Sequence, residues 1–329
     1  MTEFDFSNLG PDQILDAIET VGIYPESGLL ALNSYENRVY QFVAEGNHRY
    51  VVKFYRPQRG TDQQIQEEHD FAFELQQSDI SVIAPLTINN ESLFHADGHR
   101  FCLYPSLGGR MFELDNLDQL EWLGRLLGRV HKVSQTQQFQ HRQSINFELE
   151  INDAIETLQS LELIPDYLKS TFFHDLNMMA ELCLNKASKS FNSIRLHGDC
   201  HAGNILLQRD EFASDAVLVD LDDCINGPAI QDIWMMLSGD RQTQIQQLDT
   251  MICAYEEFHE FDHRELALIE PLRARRMIMY MAWIAKRWQD PAFPRNFSWF
   301  ATDKYWEQQT LAMKEQIAAL NEPNLNLMP

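Results

Sequence analysis

Arg195-Leu-His-Gly-Asp-Cys-His-Ala-Gly-Asn-Ile-Leu-Leu207, with Val217-Leu-Val-Asp-Leu-Asp-Asp-Cys224 shortly after it, decides the reading of this chain. Two short apolar β-like runs, 194–207 and 216–221, enclose most of its unusual polar residues. Carboxylates at this density between apolar strands are hard to explain as packing. A buried aspartate costs free energy unless it is paired, hydrogen-bonded or bound to a metal, so Asp199, Asp220 and Asp222 need partners. Magnesium is the natural candidate, since it takes carboxylate and carbonyl oxygens, few protein ligands, and substrate phosphates to complete its octahedron.

The spacing sharpens this. Asp199 and Asn204 stand five apart, the offset of the aspartate and asparagine in the kinase catalytic loop His-Arg-Asp-Leu-x-x-x-Asn. An aspartate at the start of such a loop accepts the proton of an attacking hydroxyl, and an asparagine one short loop later turns its amide oxygen toward a metal on the phosphates. Asp220, after the run Val217-Leu-Val219, takes the place of the metal-binding aspartate that follows a strand in kinases.

Upstream of this island the chain reads mainly as strands from 29 to 104. Val39 to Val43 and Tyr50 to Phe54 flank a glycine-containing loop in a hairpin pattern. Ser81 to Ile88 and Leu93 to Tyr104 alternate apolar and polar residues around the turn at 96–99. Between the pairs, Asp62 to Gln76 predicts one helix, with Ile65, Phe71, Ala72 and Leu75 on its apolar face. From about Leu114 helices dominate: Leu117 to His131, Phe147 to Leu161, Tyr167 to Phe191, Ile230 to Leu237, Gln242 to Phe258 and Glu265 to Trp288, with prolines as breaks. Residues 321–329 read as a loose tail.

Composition bounds the function class. With 329 residues, 44% hydrophobic and 11% aromatic, the chain has enough apolar surface to fold as about two globular domains. No apolar run approaches the length of a membrane span, and the N-terminus has neither a basic region nor an apolar stretch, so the expected location is the cytoplasm, away from membranes. A net charge of −23 argues against a nucleic-acid partner. The five cysteines are scattered, odd in number and without a CxxC pair, which fits reduced thiols better than disulfides or a structural zinc site. No Walker sequence is present, which argues against a P-loop ATPase.

His197-Gly-Asp-Cys-His-Ala-Gly-Asn204 followed by Val219-Asp-Leu-Asp222 resembles the aminoglycoside phosphotransferase and choline kinase superfamily, a branch of the protein-kinase-like fold. Asn33-Ser-Tyr-Glu-Asn-Arg-Val-Tyr-Gln-Phe42, Val51-Val-Lys-Phe-Tyr-Arg-Pro57, Tyr255-Glu-Glu-Phe258, Glu270-Pro-Leu-Arg273 and Asp290-Pro-Ala-Phe-Pro294 resemble a bacterial serine/threonine protein kinase branch that acts in stress responses. The resemblance implies an α+β, two-lobed fold: an N-lobe at 1–105, with a five-stranded antiparallel sheet and one principal helix, and a mainly helical C-lobe at 106–329. It implies ATP as co-substrate, Mg2+, a protein acceptor bearing serine or threonine, and capacity for autophosphorylation; a monomer is the default. Residue by residue, Asp199 matches the catalytic base, Asn204 and Asp220 the magnesium ligands, and Lys53 the strand lysine on the ATP phosphates. Glu68 pairs with Lys53, with Glu67 as the competing choice. Ser34 lies in the turn over the phosphates, and the hinge at 104–107 offers backbone groups to adenine.

The chain departs from ordinary protein kinases in one respect: Ala31 to Tyr40 contains no glycine, so Ser34, Asn37 and neighbouring polar groups are expected to replace backbone contacts to phosphate. His197 and His201 read either as metal ligands or, following the resemblance, as loop supports. Asp222 reads either as a second metal ligand or as a structurally hydrogen-bonded carboxylate. Asp232 reads as an N-terminal helix carboxylate, Cys200 as a space-filling residue or a redox thiol, 277–288 as a buried helix face, and Arg273, Arg275 and Arg276 as ordinary ion-pair partners. The rival functions are a small-molecule kinase acting on an aminoglycoside, choline-like or amino-alcohol substrate, and an inactive nucleotide-binding module.

Overall fold

A computed structural model describes residue 6 and residues 8–187, 191–209 and 214–327. Its small lobe begins with helix α1 (Pro11–Thr20) and builds a sheet from β1 (Leu30–Ala31), β2 (Arg38–Ala44) and β3 (His48–Phe54); helix α2 (Asp62–Gln77) precedes β4 (Phe94–Ala96) and β5 (His99–Pro105). The strand order is β1-β2-β3-β5-β4, all antiparallel. Phe42, Val52, Phe54, Phe101 and Leu103 pack with Ile14 and Ile18 of α1 into a core of their own. Thr61 caps α2: its hydroxyl accepts from Gln64 N while the Gln64 side chain accepts from Thr61 N, so two otherwise orphaned donors are satisfied reciprocally.

The large lobe continues with β6 (Arg110–Met111), α3 (Leu117–Ser134), α4 (Phe147–Gln159), α5 (Asp166–Ala187), β7 (Ile194–Leu196), β8 (Ile205–Arg209), β9 (Ser214–Leu218), β10 (Ile225–Gly227), α6 (Arg241–Tyr255), α7 (Ile269–Lys286), α8 (Ala292–Asn296) and α9 (Asp303–Asn321). The helices enclose an extensive core, and two small sheets, β6-β8-β9 and β7-β10, lie on the side facing the small lobe's lysine strand. No helix among the described residues is long and apolar enough to cross a membrane.

Several expected elements differ. Residues 81–88 do not form a sheet strand: Pro85 lacks a donor, and the backbone bonds instead to β9 through Ile83 N to Leu218 O and Leu218 N to Ser81 O, each 3.0 Å. Ile230 to Leu237 is not an α-helix but two tight 3-10 turns, Ala229–Asp232 and Trp234–Met236. Helix α5 ends at Ala187, residues 188–190 lie outside the described residues, and Phe191 is not helical. The chain end is no loose tail up to 327: Leu325 is buried, and Arg241 donates to the carbonyls of Pro323 and Asn324 at 2.7 and 2.9 Å. Residues 328–329 lie outside the described residues. Helices α1 and α9 were not anticipated, although Ile14, Ala17 and Ile18 in one and Trp306, Met313 and Leu320 in the other mark apolar faces at helical spacing.

Candidate active site

The loop from His197 to Asn204 is held from inside. Asp232, fully buried, accepts from the backbone N–H of His197 and of Gly198, both at 2.8 Å, and lies 3.2 Å from His131 Nε2. A helix-end carboxylate was expected here; the tight turn instead aims the group into the core, where it satisfies two loop donors. Gly198 has φ +86°, and a Cβ there would come within 2.1 Å of Asp223 O, so the loop closes onto the segment after Asp220 only with glycine.

Within the loop, Asn204 N donates to His201 O at 2.8 Å and Asn204 Nδ2 to Asp199 O at 3.0 Å, which leaves the amide oxygen of Asn204 as its remaining acceptor. The β8–β9 pairing of Ile205 with Leu218 is extended by a bond from Val219 N to Asn204 O at 3.1 Å. Asn204 and Asp220 therefore emerge at the same end of one hairpin. His197 Nε2 donates to Val219 O at 2.9 Å, tying the loop to that end again. Asp220 itself is left-handed (φ 62°, ψ 69°), and its carboxylate is 57% exposed to the cleft.

Asp199 receives Arg276 Nη1 on Oδ1 at 2.6 Å, and His201 Nε2 stands 3.4 Å from Oδ2. Because Gly203 N donates to His201 Nδ1 at 3.0 Å, the ring proton sits on Nε2, the nitrogen nearer the carboxylate. Burial pushes the Asp199 carboxyl up, but the His201 hydrogen bond and the Arg276 charge outweigh it and hold the group well below the usual carboxylate range. Both loop histidines are thus hydrogen-bonded to neighbouring backbone. Cys200 is fully buried, and burial pushes its thiol well above the ordinary range, as suits a residue that fills space.

Across the cleft, β3 presents Lys53, 5% exposed, with Nζ 2.9 Å from Asp222, 3.3 Å from Glu68 and 3.4 Å from Asp220. Burial works against its charge, but Asp222, Glu68 and Asp220 together raise the ammonium well above its ordinary pKa. The partner on α2 is Glu68 and not Glu67, whose carboxylate accepts from the backbone N–H groups of Gln140, His141 and Arg142. Asp222 is ion-paired and hydrogen-bonded: Arg59 reaches it at 2.6 Å and Asn37 Nδ2 donates to it at 3.1 Å. Burial raises the Asp222 carboxyl, yet Lys53 and Arg59 hold it low. Asn37, expected to face phosphate, is engaged in this network, since its Oδ1 also accepts from Arg56 N at 3.0 Å.

Ser34 lies half-buried in the turn between β1 and β2. Beside it, Glu36 accepts from Trp283 Nε1 and pairs with Arg287 at 2.6 Å, both carried by or just beyond α7, and the Tyr35 ring lies 4.7 Å from Phe297. Arg56 adds a buried pair to Asp290 at 2.7 Å. The stretch 277–288 is thus only partly a buried face: Ile278, Met281 and Ile284 are buried, Tyr280 is exposed, and Trp283 turns to Glu36. Arg273 and Arg275 are ordinary ion-pair partners, to Glu270 and Glu150, whereas Arg276 goes to Asp199. Asp232, Arg59, Glu36 and Arg276 were the residues sequence reasoning missed or misread. Asp232 follows the loop closely enough to have been a candidate, but nothing in the spacing of Arg276 pointed to Asp199.

A model described as the phosphotransferase enzyme family matches residues 29–269. Stress response kinase A of Escherichia coli O157:H7 is 48% identical over 326 residues, covering 99% of this chain and 98% of that protein. Serine/threonine protein kinase RdoA of Salmonella typhimurium strain LT2 is 46% identical over 326 residues, with the same coverage of 99% and 98%. Among solved structures, amicoumacin kinase in complex with AMP-PNP, Ca2+ and Ami shares the fold at a TM-score of 0.73 and 18% identity, covering 94% of each chain. The microcompartment-associated aminopropanol kinase does so at 0.71 and 18% identity, covering 96% of this chain and 99% of the other. The two-lobed kinase architecture read from the sequence is the one observed.

Proposed function

The chain belongs to the phosphotransferase enzyme family and is a kinase that moves phosphate to a hydroxyl acceptor; from that premise we propose that it is an ATP- and Mg2+-dependent serine/threonine protein kinase of the bacterial stress response, able to phosphorylate itself. The observation that carries this reading is the convergence of Lys53, paired with Glu68 at 3.3 Å, on Asp220 at 3.4 Å, with Asp220 held beside Asn204 by the Val219–Asn204 bond. The protein acceptor is supported by relatives named as stress response and serine/threonine kinases along nearly the whole chain.

In this mechanism residues 1–105 form the nucleotide lobe and 106–329 the catalytic lobe, joined at 104–107, where backbone groups meet adenine. Lys53, held in line by Glu68 and Asp222, grips the ATP phosphates, and Ser34 touches them from the turn above. Asn204, through its free amide oxygen, and Asp220, through its exposed carboxylate, fit a hard divalent cation such as Mg2+. When bound, that cation neutralises the charge of the transferring phosphates. Asp199 orients the acceptor hydroxyl and takes its proton as the hydroxyl oxygen bonds to the γ-phosphorus; the bond to the bridging oxygen breaks, that oxygen leaves on ADP, and Asp199 then releases the proton to water. The low basicity of Asp199 suits a reaction in which positioning counts more than early proton removal. The expected setting is a cytoplasmic monomer.

The test is transfer of labelled γ-phosphate from ATP with Mg2+, offered in parallel to the protein itself, a generic serine/threonine protein substrate, and a panel of aminoglycosides and amino alcohols. Label on protein establishes the reading. Label on a small molecule alone replaces it with the small-molecule kinase, and ATP binding without transfer replaces it with an inactive nucleotide-binding module.

A further inference from the structure

Helix α7 carries a stripe that the mechanism above does not use. Arg276, Tyr280 and Trp283 stand at helical spacing on it. At one end Arg276 binds the Asp199 carboxylate at 2.6 Å; at the other Trp283 donates to Glu36 in the turn over the phosphates. Between them Tyr280, 43% exposed, stacks on Trp283 with ring centroids 5.8 Å apart and lies within electrostatic reach of both Arg276 and Tyr35. The stripe therefore borders the cleft from the carboxylate that takes the acceptor proton to the turn above the phosphates. An acceptor hydroxyl reaching Asp199 comes up beside it.

The Arg276 side chain is 44% exposed, and Asp199 is its partner among the described residues. A guanidinium has five N–H donors in a planar fork, so one bond to Asp199 leaves most of the fork free for a second anion. The other cations near the cleft are already answered: Lys53 by Glu68, Asp220 and Asp222, and Arg59 by Asp222 and Asp223. Resting on the protein-kinase reading, we propose that Arg276 is a specificity-determining residue that receives a carboxylate next to the acceptor serine or threonine, so that the preferred substrates are acidic peptide segments. Tyr280 and Tyr35 supply exposed ring surface beside it.

The test compares kcat/KM of the full chain on serine-centred peptides of one length with Glu, Ala or Lys flanking the serine, for wild type, Arg276→Lys, Arg276→Gln and Arg276→Glu, with KM for ATP measured in each. Wild type is expected to favour the Glu peptide over the Lys peptide by about tenfold, the scale of one charge-assisted contact near a protein surface. Arg276→Lys should keep the preference, Arg276→Gln lose most of it and Arg276→Glu reverse it. A preference unchanged in Arg276→Gln overturns the inference while leaving the protein-kinase reading intact. So does a defect confined to KM for ATP, which assigns Arg276 to the nucleotide. Wild-type transfer to none of the peptides or proteins removes the protein-kinase reading and the inference with it. Because the readout is a ratio between acceptors on one protein, a general loss of stability does not imitate it.

Discussion

Lys53 stands closer to Asp222, at 2.9 Å, than to Glu68 or Asp220. Asp222 is therefore the counter-charge nearest the lysine, holding Lys53 on one side and Arg59 on the other. Removing its charge takes the nearest partner from the buried Lys53 and one of the partners from the partly exposed Arg59, which is costly because a desolvated charge has no water to fall back on. Asp222→Asn is expected to lower stability by about 3 kcal/mol, read by urea or thermal unfolding, and to raise KM for ATP as Lys53 drifts. Wild-type stability with wild-type KM would show that Glu68 and Asp220 suffice.

Asp232 touches no expected substrate, yet it satisfies two backbone donors of the loop from His197 to Asn204. Asp232→Ala should cost about 2–6 kcal/mol, since two N–H groups lose their acceptor at about 1–3 kcal/mol each. Its kcat should fall by more than about tenfold while ATP still binds, because the lysine side of the cleft does not depend on it. Calorimetric ATP titration alongside kcat separates the two effects; equal losses in both would mean that the whole cleft had collapsed.

Gly198→Ala places a methyl group where Asp223 O already stands, 2.1 Å away, and on a left-handed residue. The expected result is loss of turnover with destabilisation of roughly 1–3 kcal/mol from the backbone alone. A fully active Gly198→Ala protein would mean that the loop has room to move off the segment after Asp220.

Glu265 gives a pH signature. It is buried beneath the turn that carries Asp232 and accepts from Ile230 N at 3.0 Å. Burial pushes its carboxyl up from 4.5 to about 7, with that backbone bond pulling the other way. A folded-state pKa above the unfolded one favours folding fully below about 4.5 and loses that advantage as pH rises through about 7. Glu265→Gln should remove this component, worth on the order of 2–3 kcal/mol. Urea unfolding of both proteins from pH 5 to 8 checks it: parallel profiles would show that Glu265 stays ionised.

Local pattern carried much of this molecule. The β2–β3 hairpin, helix α2 and helices α3 to α7 followed in the main from apolar periodicity and turn residues, and Asp199, Asn204 and Asp220 stood out as candidates because their spacing matches the kinase catalytic loop. What local pattern missed was tertiary in origin. The alternation in 81–88 reads as a strand, but a proline and contacts with β9 decide otherwise. Asp232 looks like a helix-end residue until His197 and Gly198 fold over it. Arg276 is one of three neighbouring arginines, and only the placement of α7 across the cleft distinguishes it from Arg273 and Arg275.

The most direct measurement of the central claim is single-turnover transfer of γ-phosphate to a protein acceptor by wild type and Asp199→Asn, with ATP binding measured on both. Asp199 is assigned to orient the acceptor and take its proton while Lys53 and its carboxylate partners hold the phosphates. The account therefore predicts that Asp199→Asn binds ATP as wild type does and transfers at least about a hundredfold more slowly. Transfer at the wild-type rate by the folded variant would contradict it.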